Sequence, residues 1–173
     1  ALRAQAGKVA HSPLLGASGG PSIELADELL KVAPKGLARV FYSDSGSTAV
    51  EVALKMAFQY WQQNKHPQRR RFVHFANSYH GDTIGSVSVG GIDLFHRVYR
   101  PLLFKGLKVP SPYCYRCPVK LTYPSCKIAC LKPLEQVLRR HHRQSAAVVG
   151  EPMVQGASGI ITQPKGWLKR VEQ

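Results

Sequence analysis

Apolar positions recur at helical spacing most clearly from Gly46 onward. Val50, Ala53, Leu54, Ala57, Phe58 and Trp61 fall at steps of three, one, three, one and three, which is one stripe of an α-helix. Glu51 and Lys55 pair four apart on its more polar side. An earlier helix is predicted from Pro21 to about Val32, with Ile23, Leu25, Ala26, Leu29 and Leu30 apolar, and Pro34-Lys35-Gly36 ends it. Short apolar runs predict strands over Arg39–Ser43, Arg71–Phe75 and Ser145–Gly150. Asn77–Asp82 reads as a turn. Thr83–Val89 has no assignable period, and Gly90–Pro112 reads as irregular and proline-bearing. A helix is predicted over Leu131–His142, a loop over Gln155–Gly159, and a further helix from Lys165. Strands and helices alternate, which points to an α/β class with a largely parallel sheet.

The 173 residues, 44% of them apolar, suffice for one domain with a core. No apolar run approaches the roughly 20 residues that a spanning helix needs. The first residues lack the apolar stretch of a secretory signal. They also lack an initiator Met and read as mid-helix, while Leu168–Gln173 stops inside a helical pattern. Part of a longer protein is therefore the expectation. The formal net charge is +14, concentrated at Arg69-Arg70-Arg71 and at Arg139-Arg140-His141-His142-Arg143. Such a balance suits nucleic acid or phosphate-bearing ligands. Neither cluster is interleaved with stacking aromatics, so solvated element ends are the favoured reading and nucleic acid is not expected as a partner.

Ser43-Asp44-Ser45-Gly46-Ser47-Thr48 joins a predicted strand to the clearest helix. A helix N-terminus offers unpaired N–H groups and a partial positive charge, both suited to phosphate. Gly46 allows close backbone approach, and Ser45, Ser47 and Thr48 add hydroxyls. The same residues also suit an ordinary N-cap, and the turn alone leaves both readings open.

The wider text resembles a known family. Phe41 to Lys55 resembles the phosphate-binding segment of class III aminotransferases that use pyridoxal phosphate (PLP). Tyr79-His80-Gly81-Asp82-Thr83 resembles their aromatic–His–Gly motif, and Glu151-Pro152-Met153-Val154-Gln155-Gly156 their Glu-Pro segment. All three occur in the family's order. The resemblance implies the first part of the large domain of a fold-type-I PLP enzyme over residues 1–173, a mostly parallel sheet flanked by helices. It implies that Ser45, Gly46 and Ser47 hold the cofactor phosphate, that Tyr79 stacks on the ring, that His80 shapes the stacking turn, and that Glu151 helps position cofactor or substrate. Plain alternatives remain for each: a turn aromatic at Tyr79, a structural histidine at His80, a solvent-facing carboxylate at Glu151. Asp44 and Asp82 read as structural. The resemblance further implies a cytoplasmic homodimer. The details Ser-Gly-Ser, Ala-Val-Glu-Val-Ala and Tyr-His-Gly-Asp-Thr resemble members of biotin biosynthesis that pass an amino group from S-adenosylmethionine to 8-amino-7-oxononanoate, giving 7,8-diaminononanoate. Another class III enzyme, acting on an ω-amino acid, is the alternative. The family's Schiff-base lysine and its Asp partner lie downstream of the Glu-Pro segment. No lysine here has a matching context, so these residues alone are expected not to transaminate.

Cys114, Cys117, Cys126 and Cys130 form C-x2-C-x8-C-x3-C within a loop over residues 113–130. Four closely set thiols suit structural zinc or an iron–sulfur cluster, with free thiols or labile pairs as alternatives. Transamination calls for no metal. A small basic zinc-loop protein that binds nucleic acid is the rival reading, but it leaves the three ordered motifs unexplained.

Overall fold

A computed structural model describes residues 1–9 and 11–173. Two units compose it, residues 1–42 and 43–173. The first holds α1 (Leu2–Ala6) and α2 (Gly20–Val32). Pro21 sits in the first turn of α2, where its missing N–H costs no bond. Neither helix buries a side chain within this unit. Tyr42 folds back and donates its hydroxyl to the Ser22 carbonyl at 2.6 Å. The strand expected at Arg39–Ser43 is not formed. A strand needs a neighbour to take its backbone bonds, and no described strand pairs with this segment.

The second unit is an α/β layer structure. Its elements are α3 (Gly46–Gln63), β1 (Arg71–Phe75), α4 (Ile84–Ser88), α5 (Asp93–His96), β2 (Leu107–Val109), α6 (Lys132–His141), β3 (Ser145–Val149), β4 (Val154–Gln155), β5 (Ile161–Thr162) and α7 (Trp167–Glu172). Three strands form a parallel sheet in the order β2-β1-β3. Val73 lies opposite Leu107 on one side and Val148 on the other.

Side chains of β1 alternate between two cores. Phe72 faces α3, meeting Leu54, Val50 and Ala57 together with Val89. Val73 and Phe75 face the other way, onto Leu131, Leu134 and Trp167. The Trp167 ring meets Phe75 edge to face at 5.1 Å. Helices therefore cover both faces, as parallel sheets require. α3 is also tied to the sheet by Trp61, whose indole N–H donates to the Ala146 carbonyl at 2.7 Å.

The predicted α2, α3, β1, α6 and β3 are present. Within Gly90–Pro112, read as irregular, the fold places α5, a 3-10 turn over Arg97–Leu102 and β2. β2 has three residues, with Leu107 and Val109 buried and Lys108 exposed, too short for its alternation to stand out. Gln155, expected in a loop, pairs instead in the β4–β5 hairpin and is 2% exposed. The last helix starts at Trp167 rather than Lys165, because Gly166 takes a left-handed φ of +86° just before it. Among the described residues no helix is long and apolar enough to cross a membrane.

His74 stands in the middle of β1, 6% exposed, with Nδ1 unpartnered. Burial, then the charge of Lys108, then His80, pushes its pKa down to about 4. Its stabilising neutral form is fully present above the unfolded value of about 6.5 and is lost as pH falls toward 4. Acid titration of the unfolding free energy should therefore show a decline across that window, and His74→Gln should flatten it. Separately, Leu131 is 2% exposed in the core. Leu131→Ala should cost about 2–5 kcal/mol in denaturant unfolding.

Candidate active site

The parallel strands β1 and β3 end on the same side of the sheet, where ligands bind in open α/β folds. The turn after β1 carries Tyr79, His80, Gly81 and Asp82, and the segment after β3 begins with Glu151. The first turn of α3 completes the group.

Ser45 is the N-cap of α3. Its hydroxyl accepts from the Thr48 N–H at 3.2 Å, and Thr48 Oγ1 accepts from the Ser45 N–H at 3.0 Å. This reciprocal capping box uses the Ser45 side chain within the helix. Gly46 and Ser47 follow as the first two helical residues, and their N–H groups meet no partner among the described residues. A Cβ placed on Gly46 would meet nothing within 4 Å. The Ser47 hydroxyl accepts from the Asp82 N–H at 2.9 Å, which leaves its own proton available to an anion. Two free amides and one hydroxyl at the positive end of an 18-residue helix match a phosphate group, so the residues present fit the PLP phosphate.

The 79–82 turn is fastened to this helix end. Gly81 has a φ of +117°. A Cβ there would overlap the Ser47 hydroxyl and lie 2.8 Å from Ser47 Cα, so only glycine fits. The half-buried Tyr79 donates its hydroxyl to Asp82 Oδ2 at 2.6 Å. That bond, followed by partial burial and the Asp82 charge, raises the Tyr79 pKa. Asp82, read as structural from the sequence, thus orients the Tyr79 ring.

Glu151 lies beside this turn rather than reaching away from it. Oε1 accepts from the Tyr79 N–H and Oε2 from the Gly156 N–H, each at 2.9 Å. The carboxylate therefore braces the Tyr79 backbone. Its negative charge raises the pKa of His80, but burial outweighs it and the net shift is downward. His80 Nε2 has no partner. A neutral, enclosed imidazole fits a structural role. Two supports escaped the sequence reading: Gln155, whose amide donates to the Ala76 carbonyl at 2.9 Å, and Ser158, whose hydroxyl donates to the Asn77 carbonyl. Gln155 directly precedes Gly156 in the Glu-Pro segment, which was the available signal.

Cys114, Cys117, Cys126 and Cys130 of the 113–130 loop, for which zinc, an iron–sulfur cluster and free thiols all stood open, lie around one small cavity as free thiols. Among the described residues no three His, Cys, Asp or Glu side chains are grouped to hold a metal ion. Burial, then the neighbouring Cys114, pushes the Cys130 thiol up to about 11. The basic clusters serve locally as helix and strand ends. Arg139, Arg140 and His141 close α6 at its negative end. Arg69 lies 4.1 Å over the Trp61 ring and donates to the Ser145 carbonyl.

The family profile "Aminotransferase class-III" matches residues 1–173. The chain is 57% identical, over 98% of its length and 32% of the relative's, to the adenosylmethionine-8-amino-7-oxononanoate aminotransferase of Nitratidesulfovibrio vulgaris. The crystal structure of the same-named enzyme of Methanocaldococcus jannaschii superposes with a TM-score of 0.87 at 39% identity, over 98% of this chain and 36% of that one. A thermostable omega transaminase 6-fold mutant from Pseudomonas jessenii superposes with a TM-score of 0.88 at 29% identity, over 99% and 38%. The chain thus spans 32–38% of the length of these proteins. The matched fold is the fold-type-I α/β architecture of transaminases, with its parallel sheet flanked by helices. With the first turn of α3, the 79–82 turn and the segment from Glu151 brought together, the chain belongs to the class III aminotransferase family.

Proposed function

We propose that this protein is a PLP-dependent aminotransferase of biotin biosynthesis, transferring an amino group from S-adenosylmethionine to 8-amino-7-oxononanoate to give 7,8-diaminononanoate. The observation that carries the cofactor reading is the pair of unpartnered amides at Gly46 and Ser47, set at the start of α3 and locked to the Tyr79 turn. The names of relatives at 57% and 39% identity support the substrate pair.

The residues divide the work. The amides of Gly46 and Ser47 and the Ser47 hydroxyl would hold the phosphate. Tyr79 would lie against the pyridine ring, its plane fixed through Asp82. Glu151 would keep Tyr79 in place through the backbone. His80, held neutral by burial, would pack the turn without moving a proton. When bound, PLP supplies an electron-withdrawing ring that stabilises negative charge at the substrate carbon. The protein would act as a cytoplasmic homodimer, as its family resemblance implies. The similarity to an omega transaminase favours one second reading, an ω-amino acid as substrate.

The protein expressed from its whole reading frame and supplied with PLP should convert 8-amino-7-oxononanoate to 7,8-diaminononanoate when S-adenosylmethionine is the donor. Turnover of an ω-amino acid with no diamine formed would favour the second reading. Absence of transfer from any amine would refute both. Gly81→Ala should lower PLP affinity by about tenfold or more, because the turn must move off Ser47. The same change should destabilise the fold by about 1–3 kcal/mol through a strained φ. Equilibrium binding and denaturant unfolding read the two effects.

A further inference from the structure

Glu51 stands four residues after Ser47 on α3, so its carboxylate lies on the same face one turn along. Oε1 accepts from the Gly85 N–H at 2.7 Å and from the Ser86 N–H at 3.2 Å. These are amides in the first turn of α4, a helix whose own N-cap, Thr83, makes no capping bond. Glu51 therefore caps α4 from another helix, with a charge of the favourable sign. The fit is close: a Cβ on Gly85 would overlap the carboxylate and lie 2.7 Å from Glu51 Cδ. Ser86, fully buried, donates its hydroxyl to the Ser47 carbonyl at 3.1 Å. The stacking turn is thus clamped to α3 twice, at Asp82 through Ser47 and at Gly85–Ser86 through Glu51.

We propose that Glu51 is a positioning residue that fixes the separation between the phosphate-holding turn of α3 and the Tyr79 ring. The inference rests on the PLP reading above. Neither subsite contains Glu51, so each should bind its own part of the ligand without it. Only a ligand with both a phosphate and an aromatic ring requires the two subsites at a set distance. This geometric pre-organisation strengthens PLP binding while leaving phosphate or pyridoxal alone unaffected.

The test compares dissociation constants for PLP, pyridoxal and inorganic phosphate in the protein expressed from its whole reading frame. In Glu51→Ala, PLP should weaken about tenfold, while pyridoxal and phosphate stay within about twofold of the parent. Glu51→Gln keeps an acceptor oxygen and should stay within about threefold for PLP. Hydrogen exchange at Gly85 and Ser86 should accelerate in Glu51→Ala and much less in Glu51→Gln. Equal weakening of all three ligands would overturn the proposal, since it would mark a general structural role. Unchanged PLP affinity would overturn it as well. If Glu51→Ala does not fold, Glu51→Asp decides, because its shorter side chain draws the carboxylate away from the Gly85 and Ser86 N–H groups: a selective loss of PLP affinity supports the role and an unchanged preference for PLP over pyridoxal refutes it. A parent protein without any preference for PLP over pyridoxal would defeat the cofactor reading itself, a result separable from failure of the Glu51 role.

Discussion

The site depends on one contact, the seating of the 79–82 turn on Ser47. The Asp82 N–H reaches the Ser47 hydroxyl at 2.9 Å, and Gly81 approaches closely enough to exclude any side chain. The contact commits the Ser47 oxygen lone pair to the turn and leaves its proton for a ligand. It also places the ring-bearing turn against the helix end that carries unpaired amides. Chain connectivity alone would not do this, since Ser47 and Asp82 are separated by a helix and a strand. Packing of α3 on the sheet brings both parts to the same end, and the hydroxyl–amide bond seats one on the other.

The scaffold behind that contact is made stiff by burial on both faces of β1. Phe72 locks α3 to one face, while Val73 and Phe75 lock α6 and α7 to the other. Along the same strand His74 is kept neutral in the interior with a ring nitrogen unpartnered. An unpaired buried polar atom weakens the fold rather than strengthening it. Its presence in the middle of β1 makes the fold sensitive to acid.

Much of this was legible in the sequence, and the limits have physical causes. The stripe from Val50 to Trp61 announced α3 because its period repeats over several turns. The ordered motifs around Gly46, Tyr79 and Glu151 announced the family. β2 went unseen because three residues carry too little alternation. Arg39–Ser43 has strand composition but no described neighbour to pair with, so composition misled. The Cys spacing left metal binding and free thiols open, and the fold brings the four thiols around one small cavity. Glu151 was placed near the cofactor, but its braced partners are backbone amides, which sequence cannot name. Glu51 went unseen because its partners, the Gly85 and Ser86 amides, lie across the fold, and Asp82 because only the turn's conformation brings its carboxylate to the Tyr79 hydroxyl.

The central claim is that the amides of Gly46 and Ser47 receive the phosphate of PLP. Amide NMR of the protein expressed from its whole reading frame, followed as PLP is added, tests it most directly. The account predicts that the Gly46 and Ser47 resonances undergo the largest downfield shifts among backbone amides, and that inorganic phosphate reproduces those shifts while pyridoxal does not. Saturable PLP binding that leaves both amides unmoved would contradict it.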